Sequence, residues 1–235
     1  MFKKKRHPRS ACAQRTEGIT LDHAAPLYDW LAPLMTLGLE HRLHRRVIAQ
    51  LHLDRPMTAL DVGCGTGALT RQLHAAIPAG PGRHVVGVDA AEAMITVARR
   101  KAGDAADLEF AAALAEELPH PDAHFDRAIS TFFFHHLNYR LKVRALAELW
   151  RVLRPGGRAA ILDVDMPYSW FGKVCACSGY WLFRQPEIKE NMDGLLRAAL
   201  DESPFRGHWH IASRHSGYLS LFKLHKPNRE KEKNT

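Results

Sequence analysis

Ala59-Leu60-Asp61-Val62-Gly63-Cys64-Gly65-Thr66-Gly67-Ala68-Leu69-Thr70 is the stretch on which the fold turns. The short apolar run that ends in Asp61 and Val62 reads as a buried strand. It meets glycines at 63, 65 and 67, and a helix-forming segment follows from Ala68 to Ile77. Glycine tolerates positive φ at little cost, so this spacing lets the chain turn sharply and lets a ligand lie against bare backbone. The helix behind the turn points its free N–H groups and positive dipole end at that place. Such an arrangement is a nucleotide-type ligand site. Gly63-x-Gly65-x-x-Ala68 also satisfies the dinucleotide fingerprint, so the glycines alone do not choose the nucleotide. The flank does: Asp61, two residues before Gly63, repels a pyrophosphate and suits a ligand that carries an ammonium group.

Downstream, His84-Val85-Val86-Gly87-Val88-Asp89 is a second apolar strand ending in an acid, 26 residues after Gly63. A carboxylate at the end of the second strand of a βαβ unit can accept both ribose hydroxyls. Ala91 to Ala102 reads as the next helix, with Met94, Ile95 and Ala98 on its buried side. Residues 107–111 form a short third strand. Asp126 to Thr131 is a fourth, running into Phe132-Phe133-Phe134-His135-His136. Tyr139 to Leu153 has a one-sided apolar stripe and is the clearest helix; Pro155-Gly156-Gly157 stops it, and Arg158 to Val164 is the fifth strand. Ile188 to Leu200 reads as one helix, and 208–212 and 218–224 as a closing hairpin. Ligands of open α/β sheets gather beyond the carboxyl ends of the strands, which sets Ser130, His135 and His136 where reacting groups would meet.

At 235 residues and 46% hydrophobic content the chain suits one large α/β domain with decorations. The formal charge of +8 is carried by the ends: residues 1–9 hold +5 and residues 223–235 hold +3, so the body between is formally neutral. A nucleic-acid groove on the folded body is therefore not expected. Residues 1–17 read as a disordered basic tail with no apolar run behind the basic start, hence no secretory signal, and 226–235 as a second disordered tail. Cys12, Cys64, Cys175 and Cys177 are too few and too irregular for a disulfide framework or a metal site, and a cytoplasmic location is the expectation.

With these residues in view, the chain resembles the class I S-adenosylmethionine-dependent methyltransferases, and among them the ubiquinone/menaquinone C-methyltransferase-like group. Leu60-Asp61-Val62-Gly63-Cys64-Gly65-Thr66-Gly67 looks like their first motif. Ala115-Glu116-Glu117-Leu118-Pro119-His120-Pro121-Asp122 and Arg151-Val152-Leu153-Arg154-Pro155-Gly156-Gly157 look like two later ones. The resemblance covers about residues 20–226. It implies a doubly wound, Rossmann-like α/β fold with a seven-stranded sheet, an antiparallel last edge strand and a helical N-terminal cap over 18–54. The methyltransferase domain would then span 55–225.

It also implies S-adenosylmethionine as cofactor, held at Asp61, Gly63, Cys64, Gly65, Thr66 and Gly67, with Asp89 and Ala90 at the ribose. Met94, Leu114 and Ala115 would lie at the adenine, Ser130 at the strand end, and Tyr28 of the cap near the methionine end. Leu114 departs from the family, which usually has Asp or Asn there to bond the adenine amino group; one lost hydrogen bond costs on the order of 1 kcal/mol. His135 or His136 would act as base, since imidazole ionises near neutrality. The quinone C-methyltransferases carry Arg-Asn at that place, which counts against a quinone acceptor.

The expected reaction is methyl transfer to a small apolar or aromatic molecule. Residues 165–187, rich in Trp, Tyr and Phe and carrying Cys175 and Cys177, form an insertion that suits a substrate lid or a membrane-surface patch. Two alternatives stay open: N-methylation of a phospholipid or lipid amine at a membrane surface, and a cofactor-binding protein without transferase activity.

Overall fold

The computed structural model describes residues 10–20, 38–183 and 185–228. In chain order its elements are α1 (Ala11–Gln14), α2 (Glu40–Ala49), β1 (Thr58–Val62), α3 (Ala68–Ala76), β2 (His84–Asp89), α4 (Glu92–Ala102), β3 (Leu108–Ala112) and β4 (Phe125–Thr131). After a single 3-10 turn (Phe134–His136) come α5 (Tyr139–Val152), β5 (Leu153–Val164), α6 (Trp170–Phe183), α7 (Pro186–Met192), α8 (Leu195–Glu202), β6 (Trp209–His215) and β7 (Leu219–His225).

The seven strands form one sheet in the order β3-β2-β1-β4-β5-β7-β6. β1 to β5 run parallel, and β7 pairs antiparallel with both β5 and β6. The chain therefore reverses its winding between β1 and β4, and a switch point of that kind opens a crevice at the carboxyl ends of the strands. The α/β class, the strand number and the antiparallel last strand agree with the sequence reading. The antiparallel strand is not at the edge, however: β6 lies outside it.

The alternation of side chains along each strand divides the core into two layers. Leu60, Val62, Ala159 and Ile161 face α5 and α8, packing with Leu141, Leu149, Leu196 and Leu200. Ala59, Ala160, Leu162 and Val164 face the other way, onto Val47 of α2 and Leu69 and Leu73 of α3. The N-terminus of α5 is capped by Asn138, whose side chain accepts the Leu141 N–H at 3.0 Å.

Local physics changes several expected boundaries. Residues 10–17 are structured: α1 sits there, and Ala13 and Thr16 are buried. The basic tail was read from charge, and the contacts that hold 10–17 are long-range ones that local composition does not show. Of the expected cap over 18–54, α2 is a helix, while 21–37 and with them Tyr28 lie outside the described residues. The single helix expected over 188–200 is two, α7 and α8, parted at Gly194 with φ at 90°. β5 starts at Leu153, ahead of Pro155-Gly156-Gly157: Phe125 pairs with Leu153 and Arg127 with Arg158, so the expected stop is a bulge within the strand.

Candidate functional site

The carboxyl ends of β1, β2 and β4 frame two adjoining clefts that enclose about 320 and 470 Å³ of space counted out to solvent. Both are bounded by Gly63, Asp89, Ala90 and Phe133 from the sheet side and by Ile19 and Thr20 from the N-terminal segment. Gly65, Met94 and His136 line the larger one, and Ala115 and Glu116 the smaller.

The glycine loop is built for close approach. At Gly63, φ is +76° and a Cβ would fall 2.3 Å from the Phe133 ring; at Gly67, φ is +77° and a Cβ would fall 2.7 Å from Phe110. Neither place admits a side chain. Asp89 closes the loop from the second strand: Oδ2 accepts the Gly65 N–H at 3.0 Å and Oδ1 accepts the Ala91 N–H at 2.9 Å. A carboxylate oxygen can accept more than one hydrogen bond, which is what suits an acid to ribose hydroxyls. The expected site residues Gly63, Gly65, Asp89, Ala90, Met94 and Ala115 thus come together around the two adjoining clefts.

Asp61 stands behind the loop rather than in it. It is buried, accepts Thr70 Oγ1 at 2.7 Å, and burial pushes its carboxyl up to about 7, with the negative charge of Asp89 adding to the shift. An ammonium group brought to the loop would favour its ionised form. Cys64 is turned away from the clefts into a small apolar cluster with Ile95, Ala98 and Phe110, where burial raises its thiol well above the ordinary range. Thr66 is buried, and Gly67 caps α3; neither borders a cleft. Leu114 is likewise buried, bridged to Glu117, while its neighbours Ala113 and Ala115 do border the smaller cleft. Ser130 borders neither of these clefts: its hydroxyl donates to the Val62 carbonyl at 2.8 Å and braces β4 on β1.

The turn after β4 is held by one carboxylate. Asp163 at the end of β5 is fully buried; its Oδ2 accepts the N–H groups of Phe133 at 3.0 Å and Phe134 at 2.7 Å, and its Oδ1 accepts that of Val164 at 2.7 Å. The same Oδ1 lies 2.7 Å from His135 Nδ1. Just ahead, Phe132 has φ at +52°, an uncommon place for a bulky residue, and its N–H donates to Leu162 O at 2.9 Å. His136 packs its ring 4.1 Å from that of His135, and its Nδ1 is buried without a hydrogen-bond partner. Burial and the neighbouring His135 push the His136 imidazole well below its ordinary value.

Residues the sequence reading missed come chiefly from 10–20. Thr16 Oγ1 donates to the buried Glu116 carboxylate, Arg15 pairs with Glu117 at 2.8 Å, Ser10 Oγ donates to Ala90 O at 3.2 Å, and Ile19 N–H donates to His136 O at 3.0 Å. Ile19 and Thr20 of this strap border both clefts, and Thr16 and Gly18 the smaller one. Asp163 was also missed, although it is the acid that closes an apolar strand, as Asp61 and Asp89 are.

Residues 59–157 match the protein family described as "Methyltransferase domain". The chain is 41% identical over 145 residues to a demethylmenaquinone methyltransferase of Thermus thermophilus, covering 61% of this chain and 63% of that protein. It is 37% identical over 162 residues to a 2-phytyl-1,4-naphtoquinone methyltransferase of Synechococcus elongatus, covering 65% of each. In both cases the match spans less than two thirds of the relative's own length. Among solved structures, one titled a putative S-adenosyl-L-methionine-dependent methyltransferase from Methanococcus maripaludis superposes with a TM-score of 0.64 at 16% identity, over 91% of this chain and 98% of that one. The [4+2]-cyclase SpnF does so with a TM-score of 0.55 at 19% identity, over 90% and 98%. These two share the fold, and their titles show that the fold alone does not fix a reaction.

Proposed function

We propose that this chain, with a methyltransferase domain at its centre, transfers a methyl group from S-adenosylmethionine to a small aromatic acceptor of the hydroquinone kind. The observation that carries the reading is the joining of Asp89 to the glycine loop at Gly65, beside the cleft that Gly63, Gly65 and Asp89 line together. The relatives given above, named as methyltransferases of demethylmenaquinone and of 2-phytyl-1,4-naphtoquinone, support the acceptor class. The chain carries His135-His136 where the quinone enzymes carry Arg-Asn, which counts against the same quinones as its acceptor and is put to the assay below.

Asp89 would hold the ribose, Met94 and Ala115 the adenine, and Gly63 and Gly65 the methionine end, with Asp61 offsetting the ammonium charge from behind. When bound, the sulfonium supplies a methyl group already activated for displacement. The protein's own task is then to orient the acceptor in line and keep water out. The strap at Thr16–Thr20 and the Phe133 ring provide the cover.

A second feature concerns how the acceptor arrives. Trp170 and Trp181 on α6 are 81% and 73% exposed, and Phe171 and Val174 lie on the same helix, also exposed. Aromatic side chains displayed in this way suit the interface of a bilayer, where a prenylated or phytylated acceptor would reside. Among the described residues no helix is long and apolar enough to cross a membrane.

Calorimetric titration with S-adenosylmethionine and S-adenosylhomocysteine tests the cofactor, with micromolar binding expected and Asp89→Ala expected to abolish it. Incubation with a 2-alkyl-1,4-naphthohydroquinone then tests the acceptor by mass gain of one methyl group. Absence of adenosyl binding in the intact protein would reject the reading. Flotation with anionic vesicles, lost in the Trp170→Ala, Trp181→Ala double variant, tests the delivery surface.

A further inference from the structure

His135 and His136 both stand at the turn after β4, and the surroundings of the two rings differ in one decisive respect. A general base becomes a cation when it takes a proton, and a cation formed away from water needs an anion beside it. His135 has one: Asp163 Oδ1 lies 2.7 Å from its Nδ1. Among the described residues His136 has none in contact; its neighbours there include the His135 ring and the Gln185 side chain, and its Nδ1 is sealed without a partner.

The donors around Asp163 fix the proton's position. Its carboxylate already accepts three backbone N–H groups, from Phe133, Phe134 and Val164. A carboxylate surrounded by donors acts as acceptor toward the fourth neighbour as well, so Nδ1 of His135 carries a hydrogen. Its Nε2 is then the nitrogen with the free lone pair. The His135 side chain is 12% exposed and packs against the His136 ring, which is part-exposed and borders the larger cleft.

We propose that His135 is the base of the reaction and that Asp163 is its positioning residue, holding the ring by Nδ1 so that Nε2 receives the acceptor's proton. The proposal rests on the methyl-transfer reading given above. In the step itself the O–H bond of the acceptor hydroxyl breaks and a bond from hydrogen to Nε2 forms. The electron pair stays on the acceptor, which becomes the nucleophile. The imidazolium charge faces the Asp163 carboxylate until the proton passes to water. Of the other charged groups, Lys142 from α5 feels the Asp163 charge; its Nζ donates to Leu137 O and to Glu190 Oε2, and Glu187 and Glu190 from α7 act on that lysine. Lys142 and Glu190 are committed to each other, which leaves Asp163 as the anion in contact with His135.

The test uses the full chain. Long-range 1H–15N spectra of histidine-labelled protein, assigned with His135→Asn and His136→Asn, read the tautomer directly. A hydrogen on Nδ1 of His135 in its neutral form is expected, and a hydrogen on Nε2 overturns the pairing whatever the activity. In parallel, methyl transfer from S-adenosylmethionine to a 2-alkyl-1,4-naphthohydroquinone is followed against pH. His135→Asn is expected to lower kcat about 100-fold or more, within the range of general-base catalysis, with adenosyl binding by calorimetry retained. His136→Asn should keep the ionisation seen in the wild-type kcat profile, and Asp163→Asn should displace it. If His136→Asn removes that ionisation and His135→Asn does not, the base is His136 and the proposal fails. If the wild type binds S-adenosylmethionine and shows the Nδ1 hydrogen yet methylates no hydroquinone, the acceptor reading fails and the proton-taking role falls with it.

Discussion

Thr16 and Glu116, 100 positions apart in the sequence, meet in a buried hydrogen bond in which the threonine hydroxyl donates to the carboxylate. Gly18 N–H donates back to the same hydroxyl oxygen at 3.1 Å, so Thr16 fastens the strap at the point where it turns over the cleft.

That bond sets the first prediction. Thr16→Val keeps the shape but leaves Glu116, 8% exposed, without this partner. A buried group left unsatisfied costs about 1–3 kcal/mol, and the loss should appear in urea unfolding at neutral pH. Arg15→Ala removes only an exposed ion pair with Glu117 and should cost under ~1 kcal/mol. Equal losses in the two variants would show that the strap is not held by Thr16.

Asp61 gives a pH signature. Its folded-state pKa of about 7 lies above the ordinary 3.8, because burial disfavours the charge more than the Thr70 hydroxyl favours it. The folded state therefore binds the proton more tightly than the unfolded chain. Stability on this account is greatest below about pH 4 and falls as pH rises toward 7, after which it levels off. Asp61→Asn removes that slope. Thermal unfolding from pH 5 to 8 should show the variant gaining on the wild type as pH rises, by up to a few kcal/mol. A gap that stays constant with pH would mean that Asp61 is ionised throughout.

The sheet was legible because its strands are short apolar runs, three of which close in acids, Asp61, Asp89 and Asp163, and because strand direction follows from the alternation with helices. The glycine loop and Asp89 were legible for a related reason: their chemistry is local. What escaped was long-range. Nothing in the composition of 10–17 announces that Thr16 will meet Glu116, and nothing in the sequence near Ser130 announces that Val62 O will accept its hydroxyl. Gly194 breaks a helix that periodicity alone extends, since one residue at φ of 90° ends the ladder without disturbing the apolar stripe.

Gly63→Ala sets two costs against each other. The φ of +76° is unfavourable for any residue with a Cβ, by about 1–2 kcal/mol, and the new methyl would overlap the Phe133 ring at 2.3 Å. The single variant should lose more than the backbone cost alone, and Gly63→Ala combined with Phe133→Ala should lose less than the sum of the two singles. Thermal unfolding of the four proteins decides the point. Additivity would mean that the ring moves aside freely.

Lys142 and Glu190 form an unequal pair. The lysine side chain is fully buried and the glutamate side chain 28% exposed, with Nζ and Oε2 2.9 Å apart. Burial lowers the lysine's pKa, and Glu190 is the largest force opposing that fall. Glu190→Gln strips the anion from an ammonium group that cannot turn to water, and a loss of about 3 kcal/mol is expected. Lys142→Met instead removes the costly charge, keeps most of the side-chain volume and leaves a carboxylate free to rotate into solvent. Its cost is confined to the Leu137 carbonyl that Nζ had satisfied, about 1 kcal/mol. Urea unfolding at pH 7 should therefore rank Glu190→Gln as the more damaging change, although it alters fewer atoms. The ranking should narrow as pH rises toward 10 and the lysine in Glu190→Gln sheds its proton. The reverse order at pH 7 would mean that the Lys142 ammonium is stabilised by the rest of its surroundings and not by Glu190.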